Sequence, residues 1–221
     1  MTAHGPMDFP EAREALVDAG QRLAARRLVT GTSGNLSVRV GDRIVTTPSG
    51  VPLDSLDPAR LSLIDLDGTH LSGAVPTSEV PLHLALYRNT GAGAIAHTHA
   101  AVSTAVSCTC DELPALHYNV LQLGGPPRTA RYATFGSEQL GENVVQALRG
   151  GRTAALMQNH GSVSVGHDLG QACDRLELLE WLCELHVEAH RLGTPRVLSA
   201  AELADAERAF EDYRKRLKPG R

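Results

Sequence analysis

Residues 94–104 read AIAHTHAAVST. The first half is a short apolar run after Gly93, the pattern of a buried strand, and the run AVSTAVSC that follows has the look of a helix start. A buried strand needs cover from other elements, so the neighbouring sequence decides what layers surround it. Upstream, TSEVPLHLALYRN (77–89) predicts a helix capped by Thr77 or Ser78, with Glu79 in its first turn. Farther upstream, GTSGNLSVRV (31–40) predicts a glycine-rich turn into an alternating strand. DRIVTTPSG (42–50) predicts a second strand ending in a turn, and LSLIDLDGTHLSG (61–73) a hairpin around Asp67-Gly68. PEAREALVDAGQRLAARRL (10–28) opens on proline and repeats apolar residues at helical spacing.

Downstream, YATFGSEQLGENVVQALRG (132–150) predicts a loop and then a helix. TAALMQNHGSVSVG (153–166) predicts two short strands around a tight turn at Asn159-His160-Gly161. DLGQACDRLELLEWLCELHVEAHRLG (168–193) is the longest helical pattern, and SAAELADAERAFEDYRKRL (199–217) is an amphipathic helix capped by Ser199. Helices and strands interleave, but some strands follow each other directly. The expected fold class is therefore α/β, a mixed sheet layered with helices rather than a purely parallel one. There is no repeat or linker, and residues 1–221 are expected to form a single domain.

Composition narrows the function. Hydrophobic residues make up 42% of the chain, which excludes disorder, and the net charge is −4. With no long Lys/Arg block, nucleic acid is not an expected partner. No apolar run reaches the roughly 18–20 residues that cross a bilayer, so no membrane partner is expected. MTAHGPMDFPEAREAL lacks the basic and apolar regions of a signal peptide, and the expected location is cytoplasmic. Cys108, Cys110, Cys173 and Cys183 form no C-x-x-C pair and are read as small core residues kept reduced.

Residues two apart in a strand face one side, so His97 and His99 point the same way and are able to share one metal ion. H-x-H also arises by chance, and the pair alone leaves both readings open. His160, in a turn after an apolar strand, is the candidate third ligand; a turn histidine capping a carbonyl is the plain alternative. Three histidines would leave one tetrahedral position open, the catalytic arrangement of zinc. Glu79 is either a carboxylate favoured by the helix dipole or a fourth ligand or general base beside such a metal. His83, one turn on, is placed to support Glu79 but is expected mainly to pack. His117, His167, His186 and His190 read as structural or exposed, and His4 and His70 as loop or terminus. GTSGN (31–35), TPSG (47–50) and TSE (77–79) each offer backbone N–H groups and hydroxyls to an anion. Each is an ordinary turn on its own; together with a metal site they point to a phosphorylated substrate. None is a P-loop or a dinucleotide fingerprint.

GTSGNLSVR, TPSG, TSE, HTHA, HY…GG, YATFG and QNHG, in this order, resemble the class II aldolase/adducin family, over about Ala15 to Tyr213. The resemblance implies a three-layer αβα fold with a central mixed, largely antiparallel sheet, and a homotetramer with sites at subunit interfaces. It implies zinc, one per subunit, on His97, His99 and His160, with Glu79 as metal neighbour and catalytic acid/base; another divalent metal would also suit three histidines. Thr32, Gly34, Asn35, Thr47, Ser49, Gly50, Thr77 and Ser78 match its phosphate-binding segments. Tyr132 matches a tyrosine that reaches a neighbouring subunit's site, and Tyr213 a C-terminal aromatic that closes over substrate. Thr77-Ser78 stands where the aldolases often show two serines, and Asn159 where a member has histidine; residues 121–131 are where selectivity is expected to vary.

The implied activity is reversible cleavage of a ketose 1-phosphate to dihydroxyacetone phosphate and an aldehyde such as lactaldehyde. A salvage aldolase for 5-deoxy- or 5-methylthio-pentulose 1-phosphates fits nearly as well. Ribulose-phosphate 4-epimerases usually carry Asp at the Glu79 position, methylthioribulose-phosphate dehydratases lack YATFG, and adducin-like interaction modules have lost the histidines.

Overall fold

The structure, a computed structural model, describes residues 8–217. His4 and the start of the segment read as lacking a signal peptide lie outside the described residues. Among the described residues, eight strands form one sheet: β1 (Asn35–Val40), β2 (Arg43–Thr46), β3 (Ser62–Asp65), β4 (His70–Ser72), β5 (Ala94–Thr98), β6 (Thr129–Ala130), β7 (Ala154–Met157) and β8 (Gly161–Gly166). Their order is β4-β3-β2-β1-β5-β8-β7-β6. Every neighbouring pair is antiparallel except the parallel β6–β7. The expected mixed, largely antiparallel sheet is therefore observed.

Strand alternation sorts side chains to opposite faces, and the sorting explains the layers. Leu36, Val45, Leu63, Ala94 and Ala96 pack with α1 (Pro10–Ala25) and the start of α5 (Leu169–Leu192). Their strand neighbours Ile44, Ile64 and Ile95, with Ala155, Met157 and Val163, pack with α2 (Val80–Asn89) and α4 (Glu138–Ala147). Ala154 and Leu156 pack with the C-terminal part of α5 and with Val106 of α3 (Ala101–Ser107). Each fully buried Leu or Ile contributes about 1.5–3 kcal/mol of transfer free energy, so both sheet faces are strongly driven to acquire helices. The result is three layers, helix–sheet–helix. The last helix, α6 (Ala200–Leu217), is largely exposed.

The expected elements appear with shifted ends. Helix α1 stops at Ala25 rather than Leu28, where Arg27 takes a positive φ of 59°. Strand β6 is two residues long, too short to carry a periodic signal, and was not expected. Helix α2 begins at Val80, one residue after Glu79, so Glu79 is the N-cap residue and not part of the first turn. Ser137, Asp168 and Ser199 cap α4, α5 and α6 by accepting from the backbone N–H of Leu140, Gln171 and Glu202. The cysteine expectation needs correction: Cys173 and Cys183 are buried and free, but Cys108 is exposed and Cys110 only half-buried, because both lie at the surface end of α3. His70 lies in β4, not in a loop. No helix among the described residues is long and apolar enough to cross a membrane.

Candidate metal centre and its cleft

Strand β5 lies near the middle of the sheet, between β1 and β8. Its register sets His97 opposite Asn35 on one side and Val163 on the other. The strand ends at Thr98, so His99 sits just past it, and the pleat alone does not align the two rings. They nonetheless converge, with Nε2 atoms 2.9 Å apart. His160 comes from the β7–β8 turn, where Asn159 takes a φ of 55°. A Cβ on Gly161 would lie 2.3 Å from the Thr98 carbonyl oxygen. Glycine there lets the turn press against the end of β5 and delivers His160 to the other two rings. The three ring centroids lie 4.8–4.9 Å apart.

Glu79 completes the group. Its Oε2 is 3.0 Å from His97 Nε2, and its Oε1 is 3.4 Å from His160 Nε2. One donor atom from each of Glu79, His97, His99 and His160 lies within 4.8 Å of the others. His97 Nδ1 lies 2.9 Å from the Ser162 carbonyl oxygen, to which it donates, so the neutral ring turns an Nε2 lone pair inward. Glu79 Oε1 is buried without a hydrogen-bond partner. Converging lone pairs and a buried, unpartnered carboxylate oxygen are unfavourable by themselves and are relieved by a cation. The donor chemistry, imidazole with one carboxylate, fits a divalent metal.

The protonation states of His99 and His160 agree with a ligand role, whereas His97, beside Glu79, is drawn toward the charged form. Burial, reinforced by His97 and His160 and opposed by Glu79, pushes His99 down to about 3. Burial and His97 push His160 down to about 4, again against Glu79. Both are held neutral, as ligands must be. Burial would raise the Glu79 carboxyl, but the charge and hydrogen bond of His97, the Asn35 amide and the charge of His160 outweigh it and hold the group well below the ordinary carboxylate range. Burial likewise opposes charge on His97, but Glu79 and the Ser162 carbonyl prevail and raise it.

A cleft of about 270 Å³ opens beside the four residues. Of the residues expected to hold phosphate, Thr32, Gly34, Asn35, Ser49, Gly50, Thr77 and Ser78 line it. The second and third segments are tied together. Ser49 N–H donates to the Val75 carbonyl at 2.9 Å, and Thr77 N–H to the Thr47 carbonyl at 3.1 Å. Gly34, at φ 86°, lies where a Cβ would come 2.8 Å from the His97 carbonyl oxygen, which seats the first segment against β5.

Within this one chain, four of the expected site residues lie as follows. Thr47 does not line the cleft; it is buried, and its Oγ accepts from Leu36 N–H at 3.1 Å, a bond set by the β1–β2 register. Asn35 lines the cleft, but its amide is spent on Glu79 and His83. Tyr132 lies on the rim of its own chain's cleft, 61% exposed, with its N–H donated to Gln158 Oε1. Tyr213 is not brought to the histidines within this chain; it lines a separate groove with Tyr118 and Phe210 on α6.

Sequence reasoning weighed His83 as a support for Glu79 but favoured packing, and it did not single out Phe135, on the cleft rim, as a site residue. The available signal for His83 was the Glu79, His83, Tyr87 stripe, spaced four residues apart on one helix face. His117 keeps a structural role: its Nδ1 accepts from Asn119 N–H, and its ring stands edge-on to Trp181.

The sequence profile of the Class II Aldolase and Adducin N-terminal domain matches residues 14–187. The chain is 35% identical over 203 residues to the 5-methylthioribulose-1-phosphate/5-deoxyribulose-1-phosphate aldolase of Rhodospirillum rubrum, covering 91% of each chain. It is 35% identical over 210 residues to the L-fuculose phosphate aldolase of Escherichia coli strain K12, covering 94% of this chain and 97% of that one. Its fold superposes on a solved L-fuculose 1-phosphate aldolase with a TM-score of 0.88 at 30% identity, covering 94% of this chain and all of the other. With a match that runs through the cleft, the histidine cluster and most of α5, the chain is a lyase that belongs to the class II aldolase and adducin N-terminal domain family.

Proposed function

We propose that the protein is a zinc-dependent aldolase that cleaves a ketose 1-phosphate reversibly to dihydroxyacetone phosphate and a short aldehyde. The observation that carries this reading is the joining of His97, His99, His160 and Glu79 to a small cleft lined by Ser49, Gly50, Thr77 and Ser78. A sugar phosphate needs both features: oxygens for a cation and donors for a phosphate. The two named relatives act on L-fuculose phosphate and on 5-methylthio- or 5-deoxyribulose 1-phosphate, and substrates of these types lead the reading. One domain over residues 1–221, a cytoplasmic location and a homotetramer with sites at subunit interfaces complete it. Exposed Tyr118, Trp181 and Tyr213 are candidates for burial between subunits, and Tyr213 would then close over a neighbour's cleft.

His97, His99 and His160 would hold the cation, which when bound supplies a Lewis acid for the substrate carbonyl and for the charge developing on its oxygen. Hydroxyls and backbone N–H groups of Thr32, Gly34, Ser49, Gly50, Thr77 and Ser78 bind the phosphate and fix the sugar's register. In synthesis, the ionised Glu79 takes a proton from C3 of the triose phosphate, the carbon's electron pair forms the C3–C4 bond, and the Tyr132 phenol gives its proton to the aldehyde oxygen. The proton on Glu79 returns through solvent to the Tyr132 phenolate, which resets both groups. Cleavage runs the same transfers in reverse: solvent first moves the Tyr132 proton to Glu79, the phenolate takes the C4 hydroxyl proton, and Glu79 protonates C3.

A panel of ketose 1-phosphates, read by release of dihydroxyacetone phosphate, tests the proposal. Release from a 6-deoxyhexulose or a 5-substituted pentulose 1-phosphate is expected. Epimerisation of a pentulose 5-phosphate with no triose product would overturn it, as would a native protein that binds no divalent metal.

A further inference from the structure

Behind Glu79 lies a second buried polar group that the cleavage steps above do not use. Helix α2 runs along β1, and its Glu79, His83 and Tyr87 face Asn35 and Ser37. The spacings match: four helical residues rise about 6 Å and two strand residues about 6.6 Å, so each α2 side chain meets its β1 partner in turn. Asn35 Nδ2 donates to Glu79 Oε2 at 2.9 Å. Asn35 Oδ1 bonds His83 Nε2, His83 Nδ1 lies 2.7 Å from Ser37 Oγ, and Ser37 Oγ lies 2.8 Å from the Tyr87 hydroxyl. His83 is 1% exposed and Ser37 not at all, so no solvent completes any of these bonds.

We propose that Asn35, His83, Ser37 and Tyr87 form a one-way hydrogen-bond chain in which His83 is the positioning residue that keeps the Glu79 carboxylate aimed at the metal centre. This rests on the reading that Glu79 moves a proton in turnover. The direction follows from counting protons. An ionised carboxylate only accepts, so Asn35 must present its NH₂ to Glu79 and its carbonyl oxygen to His83. His83 Nε2 then carries the ring proton, and Nδ1 is left as an acceptor. Ser37 gives its single proton to Nδ1, and Tyr87 gives its own to Ser37 Oγ. Each ring and hydroxyl donor finds an acceptor with a neutral imidazole in one tautomer. The opposite tautomer would put two lone pairs between His83 and Asn35, flip the amide and turn its oxygen onto Glu79. A fully satisfied buried network of this kind rigidifies what it touches.

The test has two independent readouts. In the metal-free protein, imidazole ¹⁵N shifts at neutral pH are expected to report His83 as the neutral Nε2–H tautomer; an Nδ1–H tautomer or an imidazolium overturns the chain. For activity, His83→Leu and His83→Gln are compared at full cation occupancy and with native circular dichroism. His83→Leu is expected to lose about 10–100-fold in kcat with KM for the ketose phosphate within about twofold. His83→Gln, whose amide still donates to Asn35, is expected to recover much of that loss. An unchanged kcat in cation-loaded His83→Leu overturns the proposal, as does a loss explained wholly by the unfolded or metal-free fraction. Should His83→Leu fail to fold, Tyr87→Phe removes only the terminal hydroxyl; because the Glu79 end sets the direction, His83 is expected to remain the neutral Nε2–H tautomer in that variant, and an Nδ1–H tautomer or an imidazolium there overturns the chain. If wild-type protein releases no dihydroxyacetone phosphate from any ketose 1-phosphate, the aldolase reading falls, and the tautomer in metal-free protein alone decides the chain.

Discussion

His97 Nε2 stands 3.0 Å from Glu79 Oε2, with both side chains buried and the far nitrogen of His97 committed to the Ser162 carbonyl. The contact joins the end of a central strand to the first residue before a helix. In the proposed mechanism it makes Glu79 both a neighbour of the cation and the nearest base. Two roles in one residue are separable by replacing the charge and keeping the shape. Glu79→Gln is expected to retain a cation on the three histidines and to lose at least about 100-fold in kcat, the usual scale for a lost general acid/base. Metal analysis alongside turnover checks this; full activity would remove Glu79 from the chemistry.

The cleft separates hydroxyls that face ligand from one that does not. Ser49→Ala and Ser78→Ala each remove a candidate donor to a dianion, worth about 1.5–3 kcal/mol, and are expected to raise KM roughly tenfold or more. Thr47→Val removes the Oγ acceptor of Leu36 N–H and is expected to lower thermal stability while KM holds. Steady-state kinetics with a melting curve on each variant distinguishes them, and a KM effect in Thr47→Val comparable to Ser49→Ala would contradict the placement.

Gly161 links packing to metal affinity. An added Cβ would sit 2.3 Å from a backbone oxygen of β5, which has no flexible end to move. Gly161→Ala is expected to destabilise the fold by about 1–3 kcal/mol and to displace His160. Calorimetry with the metal should show weaker binding along with a lower melting temperature. A variant that binds normally would show that the turn relaxes without moving the ligand.

The buried acids give an alkaline limit to stability. Burial, with Glu177, Asp174 and Asp168 acting against Arg22, pushes the Cys173 thiol up to about 11 from an ordinary 9. Burial, aided by Glu180, Cys110 and Glu184, raises Cys183 further. A folded-state value above the unfolded one means that the unfolded chain loses the proton first. The stabilisation is full below about pH 9 and is lost as pH climbs through the folded value. The melting temperature is expected to fall between pH 9 and 11, and Cys173→Ala to flatten that fall. An equal slope in the variant would rule out this thiol as a cause.

Much of this was legible because local chemistry repeats locally. The two strands around His160 and the helices α2, α4 and α5 announced themselves by periodicity and caps. His97, His99, His160 and Glu79 stood out because imidazole pairs and a carboxylate beside a cap are unusual, and ordered motifs linked them. Thr47 and Ser49 look alike in the sequence, two hydroxyls in one turn, yet the β1–β2 register buries one and leaves the other in the cleft. Tyr213 sits in a readable helix, but its distance from the histidines depends on how α6 lies on the rest of the chain.

The amino-acid order by itself determined the layers of the fold and the family, since these follow from periodicity and motif order. Only the tertiary structure decided that His83 is hydrogen-bonded to Glu79 through Asn35. That depends on α2 running in step with β1, so that donors and acceptors distant along the chain face each other where no water reaches. Such pairing is a property of packed geometry and leaves no periodic trace in the sequence.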